Sequence, residues 1–192
     1  MNRTIATITG ASGVGKSTLE KGLLKYFGGG RIVAHTSRNL RPEESATNYV
    51  FCRKWELYFW MYVNVFWKSD YLWVKSARGN LYAAHSRQFY EALDQTGSIA
   101  FGCISDDCHQ IVADRFEPEG IVCKAIHLKH PGDNELRRRL EKRGEEPAAI
   151  ESRLADSRIF EEQALRNPKL HLVGPGSPEQ VLEQVIKVIY GP

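Results

Sequence analysis

The sequence predicts an α/β fold with a five-stranded parallel sheet flanked by helices on both faces. Two observations predict it. Short apolar runs, several rich in β-branched residues, alternate with stretches whose apolar residues fall at helical spacing. Such alternation suits a parallel sheet covered on both sides. A glycine-rich turn also joins the first apolar run to the first helical stretch, the place where such sheets bind ligands.

The elements follow in order. Thr4 to Thr9 reads as a buried strand. Leu19, Leu23, Leu24 and Phe27 then fall at helical spacing, and Gly28-Gly29-Gly30 stops that helix. Ile32 to Ala34 is the expected second strand, Ser98 to Ile104 the third, Ile121 to Leu128 the fourth, and Leu170 to Val173, after Pro168, the fifth. Pro178 opens a last helix with Val181, Leu182, Val185, Ile186 and Ile189 on one face. Two segments break the alternation: a large insertion over residues 35–90 and a highly charged helical stretch over residues 131–166. No repeat, low-complexity tract or linker divides residues 1–192, which read as a single domain.

Composition bounds the function. With 42% hydrophobic and 26% charged residues, the chain can build an ordinary core. A net charge of +3 gives no argument for nucleic acid as a partner. Cys52, Cys103, Cys108 and Cys123 show neither a C-x-x-C pair nor zinc-type spacing, so they read as free thiols of a reducing compartment. Met1 to Arg3 runs straight into a strand, which leaves no signal peptide. The most apolar stretch, Leu57 to Trp67, is interrupted by Asn64 and falls short of the roughly 20 residues a membrane span needs. The expected location is cytoplasmic, with no membrane partner.

Gly10-Ala11-Ser12-Gly13-Val14-Gly15-Lys16-Ser17 matches G-x-x-x-x-G-K-[ST] between a strand and a helix. Glycines let backbone N–H groups turn toward phosphate oxygens, and the helix N-terminus adds partial positive charge. Lys16 is expected to reach the β- and γ-phosphates of ATP, and the Ser17 hydroxyl to bind Mg²⁺ with Thr18 behind it. The fold class is therefore that of the P-loop NTPases.

Three further blocks narrow the choice. The first is His35-Thr36-Ser37-Arg38-Asn39-Leu40-Arg41-Pro42-Glu43-Glu44 with Tyr49-Val50-Phe51 beyond it. The second is Gly79-Asn80-Leu81-Tyr82, and the third is Leu136 to Arg143, Gly144 and then Arg153-Leu154. Taken in order, they resemble the acceptor-phosphate segment, the G-N-Y-Y run and the arginine-rich lid of guanylate kinases. The resemblance covers nearly the whole chain. It implies an acceptor-binding insertion at 35–90, a lid at 131–155, and transfer of the γ-phosphoryl group of ATP to a phosphate-bearing acceptor. Arg38 and Arg41, three residues apart, can fork onto one phosphate, and Tyr49 and Tyr82 can each donate a phenol O–H to it. Core packing is the other use open to the two tyrosines. The resemblance implies that Arg139, Arg143 and Arg153 close over the phosphates, next to Lys16, as the catalytic cations. Arg137 and Arg138 fit a solvated helix face.

The sequence departs from the family where guanine is read. Family members carry polar or acidic residues at positions occupied here by Ala34, Trp73, Ala84 and Cys103. Trp73 can instead stack on a base or sugar face. Asp106 and Asp107 can stand in for the lost acid, or one of them can cap a helix. The expected acceptor is a nucleoside monophosphate, GMP-like but with weakened guanine specificity. The alternatives are a sugar phosphate, as in the ribose bisphosphate phosphokinases, and a guanylate kinase-like binding module without catalysis.

The insertion also carries an unusually aromatic segment over residues 55–67. Trp55, Phe59, Val63 and Phe66 share one helical face that can pack inward, while Trp60, Tyr62 and Trp67 are harder to bury. A dense local core, a wall of the acceptor site and a homo-oligomer interface are the three readings.

Overall fold

The computed structural model describes residues 2–40, 46–67, 70–77 and 79–191, with the backbone alone at 48 and 64–67. Strand β1 (Thr4–Thr9) is buried along its whole length and runs at the centre of the main sheet. Helix α1 (Lys16–Phe27) follows it and ends at Gly28, whose backbone N–H caps Leu24 O. Strands β6 (Ile99–Cys103), β7 (Val122–Leu128) and β8 (Leu170–Val173) complete a sheet of order β6-β1-β7-β8, parallel throughout.

Helices cover both faces of this sheet. On one side Leu19 and Leu23 of α1 pack with Val185 and Ile189 of α7 (Pro178–Tyr190) against Ile8, Phe101 and Ile126. On the other, Phe89 and Leu93 of α3 (Ser86–Thr96) and Val112 and Phe116 of α4 (His109–Phe116) close over Ile5 and Ala100. The last helix starts where Pro178 places it: Ser177 Oγ accepts the Gln180 N–H at 3.3 Å and Gln180 Oε1 accepts the Ser177 N–H at 2.9 Å, a capping box.

The expected second strand, Ile32 to Ala34, does not join the main sheet, which has four strands and not the expected five. Only Arg31 bridges Phe101: the Ile32 N–H donates to Phe101 O at 2.7 Å and the Phe101 N–H to Gly30 O at 2.7 Å. Beyond that point the chain directs its hydrogen bonds elsewhere. Ala34 O accepts the Val50 N–H at 3.0 Å, and β2 (His35–Thr36) pairs in a second sheet. The apolar run is the lead-in to that second sheet.

The second sheet is built from the insertion, in the order β3-β2-β5-β4, with β3 (Val50–Phe51), β4 (Tyr71–Ala77) and β5 (Asn80–His85). Helix α2 (Lys54–Trp67) packs on it through Leu57, which is 0% exposed against Leu81 and Ala83. This overturns the expected inward face. Trp55 is 60% and Phe59 54% exposed, because the contact to β5 is made by Leu57, on another face of the helix. The side chain of Phe66 lies outside the described residues. The charged stretch forms α5 (Asp133–Lys142) and α6 (Pro147–Leu165), joined by a small core of Leu136, Leu140, Ile150 and Leu154. Among the described residues no helix is long and apolar enough to cross a membrane.

Candidate active site

The loop from Gly10 to Gly15 leaves the C-terminal end of β1 and delivers the N-terminus of α1. Its shape depends on glycine at two close approaches. Gly10 has φ +135°, and a Cβ there would lie 2.8 Å from Leu128 O. Gly13 has φ +93°, and a Cβ there would lie 2.6 Å from Leu136 Cδ1 of α5. Lys16 folds back over the loop, donating to Gly10 O at 2.5 Å and Ala11 O at 2.8 Å. Burial lowers its pKa, and Arg143 pushes in the same direction against the opposing charges of Glu20 and Asp106. Ser17 and Thr18 are exposed in the first turn of α1.

Three adjoining cavities form a cleft over this loop. The first, of about 380 Å³, runs from Gly13, Val14, Gly15 and Thr18 past Arg139 and Arg143 to Gly176 and Pro178 before α7. The second, of about 300 Å³, has Lys16, Ser17 and Glu20 on one side and Arg38, Tyr49 and Tyr82 on the other, with Arg143 above. The third, of about 510 Å³, reaches deeper between the two sheets, to Ala34, Trp73, Asn80 and Cys103. Cysteine at 103 adds no ligand there: burial raises its pKa well above the usual thiol range, and the Glu20 carboxylate acts in the same sense.

The residues expected to hold the acceptor phosphate come together. Arg38 lies over the Tyr49 ring at 5.2 Å, and the Tyr49 and Tyr82 rings meet edge-on at 6.3 Å. Burial raises the Tyr49 pKa, so its phenol keeps its proton and remains a donor. Arg41 lies outside the described residues. The lid arginines also converge on the loop. Arg139 donates to Gly13 O at 3.3 Å and Val14 O at 3.1 Å and pairs with Glu135 at 2.7 Å. Arg153 pairs with Glu145 at 2.5 Å and donates to Ser12 Oγ. Arg143, at the end of α5, forms no ion pair among the described residues and shares the second cavity with Lys16. Lys16, Arg38 and Arg143 face this cavity with Glu20 as the one carboxylate among its described lining residues, so the cavity carries net positive charge and suits an anion. Arg137 and Arg138 pair with Glu151 and Glu135 on the outer face, as expected.

Trp73 lines the third cavity but is only 8% exposed, set edge-on to Phe89 at 6.1 Å. It pairs across the strands with Ala84, so two of the positions where base contacts were expected form one large-and-small core pair. Asp106 and Asp107 are engaged, and neither caps a helix: Asp106 accepts from Thr9 Oγ1 and Asp107 pairs with Lys75 of β4. None of the described side chains of α2 lines these three cavities. The sequence reading missed Glu20 and Phe160, both of which line the cleft. For Glu20 the available signal was Ser17-x-x-Glu20, which puts two oxygen-bearing side chains three residues apart on one helix face. Phe160 had no signal, being one aromatic on a charged helix.

Comparison with known proteins bears on the whole of this arrangement. A curated guanylate kinase of Vibrio parahaemolyticus is 29% identical over 160 residues, covering 81% of this chain and 72% of that protein. A guanylate kinase of Alkalilimnicola ehrlichii is 28% identical over 160 residues, covering 82% and 74%. The crystal structure of a guanylate kinase from Anaplasma phagocytophilum superposes with a TM-score of 0.66 at 16% identity, over 97% of this chain and 84% of that one, which supports the shared P-loop fold. The guanylate kinase family model matches residues 2–164, a span that takes in the phosphate loop, the second sheet and nearly all of the two lid helices, so the chain belongs to the guanylate kinase family.

Proposed function

We propose that the chain is an ATP-dependent kinase that moves the γ-phosphoryl group onto the phosphate of a small acceptor, a nucleoside monophosphate first among the candidates, and that it reads guanine weakly. One observation carries the reading. The cleft has a phosphate-facing part, built from Lys16, Arg38, Tyr49, Tyr82 and Arg143, and a deeper part where Ala34, Trp73 and Cys103 stand in place of polar groups.

Phosphoryl transfer asks a protein mainly for positioning and for positive charge around the transferring group. The first cavity suits the adenosine end of ATP, with the triphosphate running along the loop. Lys16, leaving its two carbonyl partners, would meet the β- and γ-phosphates, and Arg143 and Arg153 would neutralise the transferring group from above. Arg38, Tyr49 and Tyr82 would hold the acceptor phosphate opposite Lys16. Ser17 offers a hard oxygen to Mg²⁺, which supplies charge neutralisation at the β- and γ-phosphates. Among the described residues no group of three acids, histidines or cysteines forms a metal cage. This suits an ion bound largely by phosphate and water.

A guanine in the deeper cavity would present its N1–H and N2–H₂ donors to the side chains of Ala34, Trp73 and Cys103, while the one carboxylate among the described residues lining that cavity, Asp106, is engaged by the Thr9 hydroxyl. Each buried unpaired donor costs about 1–3 kcal/mol, which removes one to several powers of ten from guanine selectivity. The test is kcat/KM for GMP, dGMP, AMP, UMP and ribose phosphates with Mg·ATP. Comparable values across nucleotides are expected. A preference for GMP of roughly a thousandfold or more would refute the weak-guanine reading. The same panel decides for the sugar-phosphate alternative if ribose phosphates lead it, since an apolar wall serves a sugar as well as a base. Failure to bind Mg·ATP would favour a binding module, against which the Lys16 and Ser17 positions now stand.

A further inference from the structure

The cleft holds one carboxylate that the family resemblance does not account for. Glu20 lies one helical turn beyond Lys16 and three residues beyond Ser17 on α1, so helical spacing turns the three side chains to one side. All three line the phosphate end of the cleft. Glu20 is not used in capping the helix, whose N-cap is Gly15 without a side-chain cap bond. Instead Glu20 Oε1 accepts the Cys103 N–H at 3.2 Å, which brings the carboxylate to the C-terminal end of β6. That strand end is where guanylate kinases carry an aspartate and this chain carries Cys103. Of the other acids nearby, Asp107 is paired with Lys75, and Asp106 accepts from the Thr9 hydroxyl and lines the third cavity, not the second.

We infer that Glu20 supplies the metal-facing carboxylate of this site, replacing from α1 the acid missing at the end of β6, and that with Ser17 Oγ it forms the protein's oxygen set for Mg²⁺. A hydroxyl and a carboxylate are hard donors, the kind Mg²⁺ selects, and few protein ligands suffice beside a triphosphate. Service in the acceptor's base site fits less well. Ala34, Trp73 and Asn80 border a cavity that Glu20 does not line, and a carboxylate beside a phosphate needs a cation between them. With Lys16 turned from its carbonyl partners to the nucleotide phosphates, the ion is the better match for the Glu20 carboxylate. The inference rests on the phosphotransferase reading above.

The test titrates Mn²⁺ into the full chain with ADP present and reads free ion by its paramagnetic resonance signal, for the wild type, Glu20→Gln, and Glu20→Gln combined with Cys103→Asp. Calorimetry in EDTA measures ADP affinity without metal in the same proteins. Gln keeps an oxygen for the Cys103 N–H, so the fold contact survives. The expected result is a loss of Mn²⁺ affinity of roughly ten- to a hundredfold in Glu20→Gln, with ADP affinity in EDTA unchanged, and recovery of most of the loss by Cys103→Asp. Wild-type Mn²⁺ affinity in Glu20→Gln would overturn the inference and leave Glu20 as a counter-ion for Lys16 and Arg31. A double variant as weak as Glu20→Gln would overturn the placement at the β6 end. Absence of ADP binding by the wild type in EDTA and with Mn²⁺ would instead overturn the nucleotide-binding reading beneath it.

Discussion

Mild acid should destabilise the fold through His109, by an amount the structure sets. His109 opens α4, is 8% exposed, and hydrogen-bonds through Nδ1 to Thr7 Oγ1 on β1. The Thr7 hydroxyl donates to Lys124 O at 3.3 Å, which leaves Nδ1–H as the donor to Thr7 and Nε2 as the bare nitrogen. Nε2 is buried with no hydrogen-bond partner among the described residues. A second proton would therefore place a charged N–H where nothing accepts it. Burial holds the His109 pKa down to about 4; Asp106 and Asp107 pull upward against it, and His127 adds to the depression. An unfolded histidine titrates near pH 6.5, so between about pH 6.5 and pH 4 the unfolded chain binds the extra proton and the folded chain does not. Stability is whole above that window and falls as pH falls through it, by about 2 kcal/mol at pH 5 and about 3 kcal/mol at its lower end. Urea denaturation of wild type and His109→Gln from about pH 7.5 to about pH 4.5 measures this, because glutamine keeps a polar amide and does not titrate. The wild-type curve should fall more steeply, and the difference between the two curves isolates His109 from every other group. Parallel curves would refute the reasoning.

Four further outcomes are expected. Lys16→Ala should abolish phosphoryl transfer with little change in denaturation midpoint, since among the described residues it pairs with no carboxylate and its hydrogen-bond partners are two carbonyls of the half-buried loop; near-normal turnover would sink the kinase reading. Arg143→Ala should lower kcat by factors of roughly 10³ with little effect on ATP affinity, whereas Arg153→Ala should add a loss of stability because Glu145 is left unpaired; a change confined to KM for ATP would contradict both. Gly13→Ala should cost about 2 kcal/mol or more, from positive φ and the overlap with Leu136, and calorimetric unfolding would show it. The exposed Trp55, Tyr58, Phe59, Trp60, Met61 and Tyr62 of α2 should drive self-association, which sedimentation at rising concentration would detect and a strictly monomeric profile would dismiss.

What could be read in advance follows from how local the determining physics is. The phosphate loop was legible because its glycines, Lys16 and the strand and helix around it lie within one short segment, where spacing fixes geometry. The closing helix was legible for the same reason, with Pro178 and a one-sided apolar face. The place of the expected second strand was not, because Ile32 to Ala34 is apolar in either sheet; the hydrogen bond from the Val50 N–H to Ala34 O decides, and it depends on a partner far along the chain. Strands β2 and β3, two residues each, are too short to carry periodicity. On α2 nearly every position is apolar, so helical spacing offers several inward faces, and only the contact of Leu57 with Leu81 and Ala83 selects one. Glu20 was hidden because a serine followed three residues later by glutamate is the ordinary dress of a helix start, and here the cap it suggests is not made.

Two of the positions where the family resemblance implies base contacts share one piece of packing. Trp73 and Ala84 face each other across β4 and β5, and the indole fills the space between Ala84 and Phe89. A carboxylate in place of the fully buried Ala84 would lie in an apolar core, whereas Trp73 lines the third cavity as well as packing on Phe89. The phosphate-reading residues stand on different elements: Lys16 on α1, Arg38 beyond β2, Tyr49 before β3, Tyr82 on β5 and Arg143 at the end of α5. Their positions are set by backbone pairing and by the lid's own small core, neither of which depends on the indole. On the proposed reading, weak base readout leaves the phosphate cradle mechanically intact. On that reading, an acceptor held at its phosphate by fixed charge meets beyond it Ala34, Trp73 and Cys103, so size and stacking weigh heavily in its selection, which is why a panel of acceptors varied in base and sugar is the measurement that defines this chain's substrate.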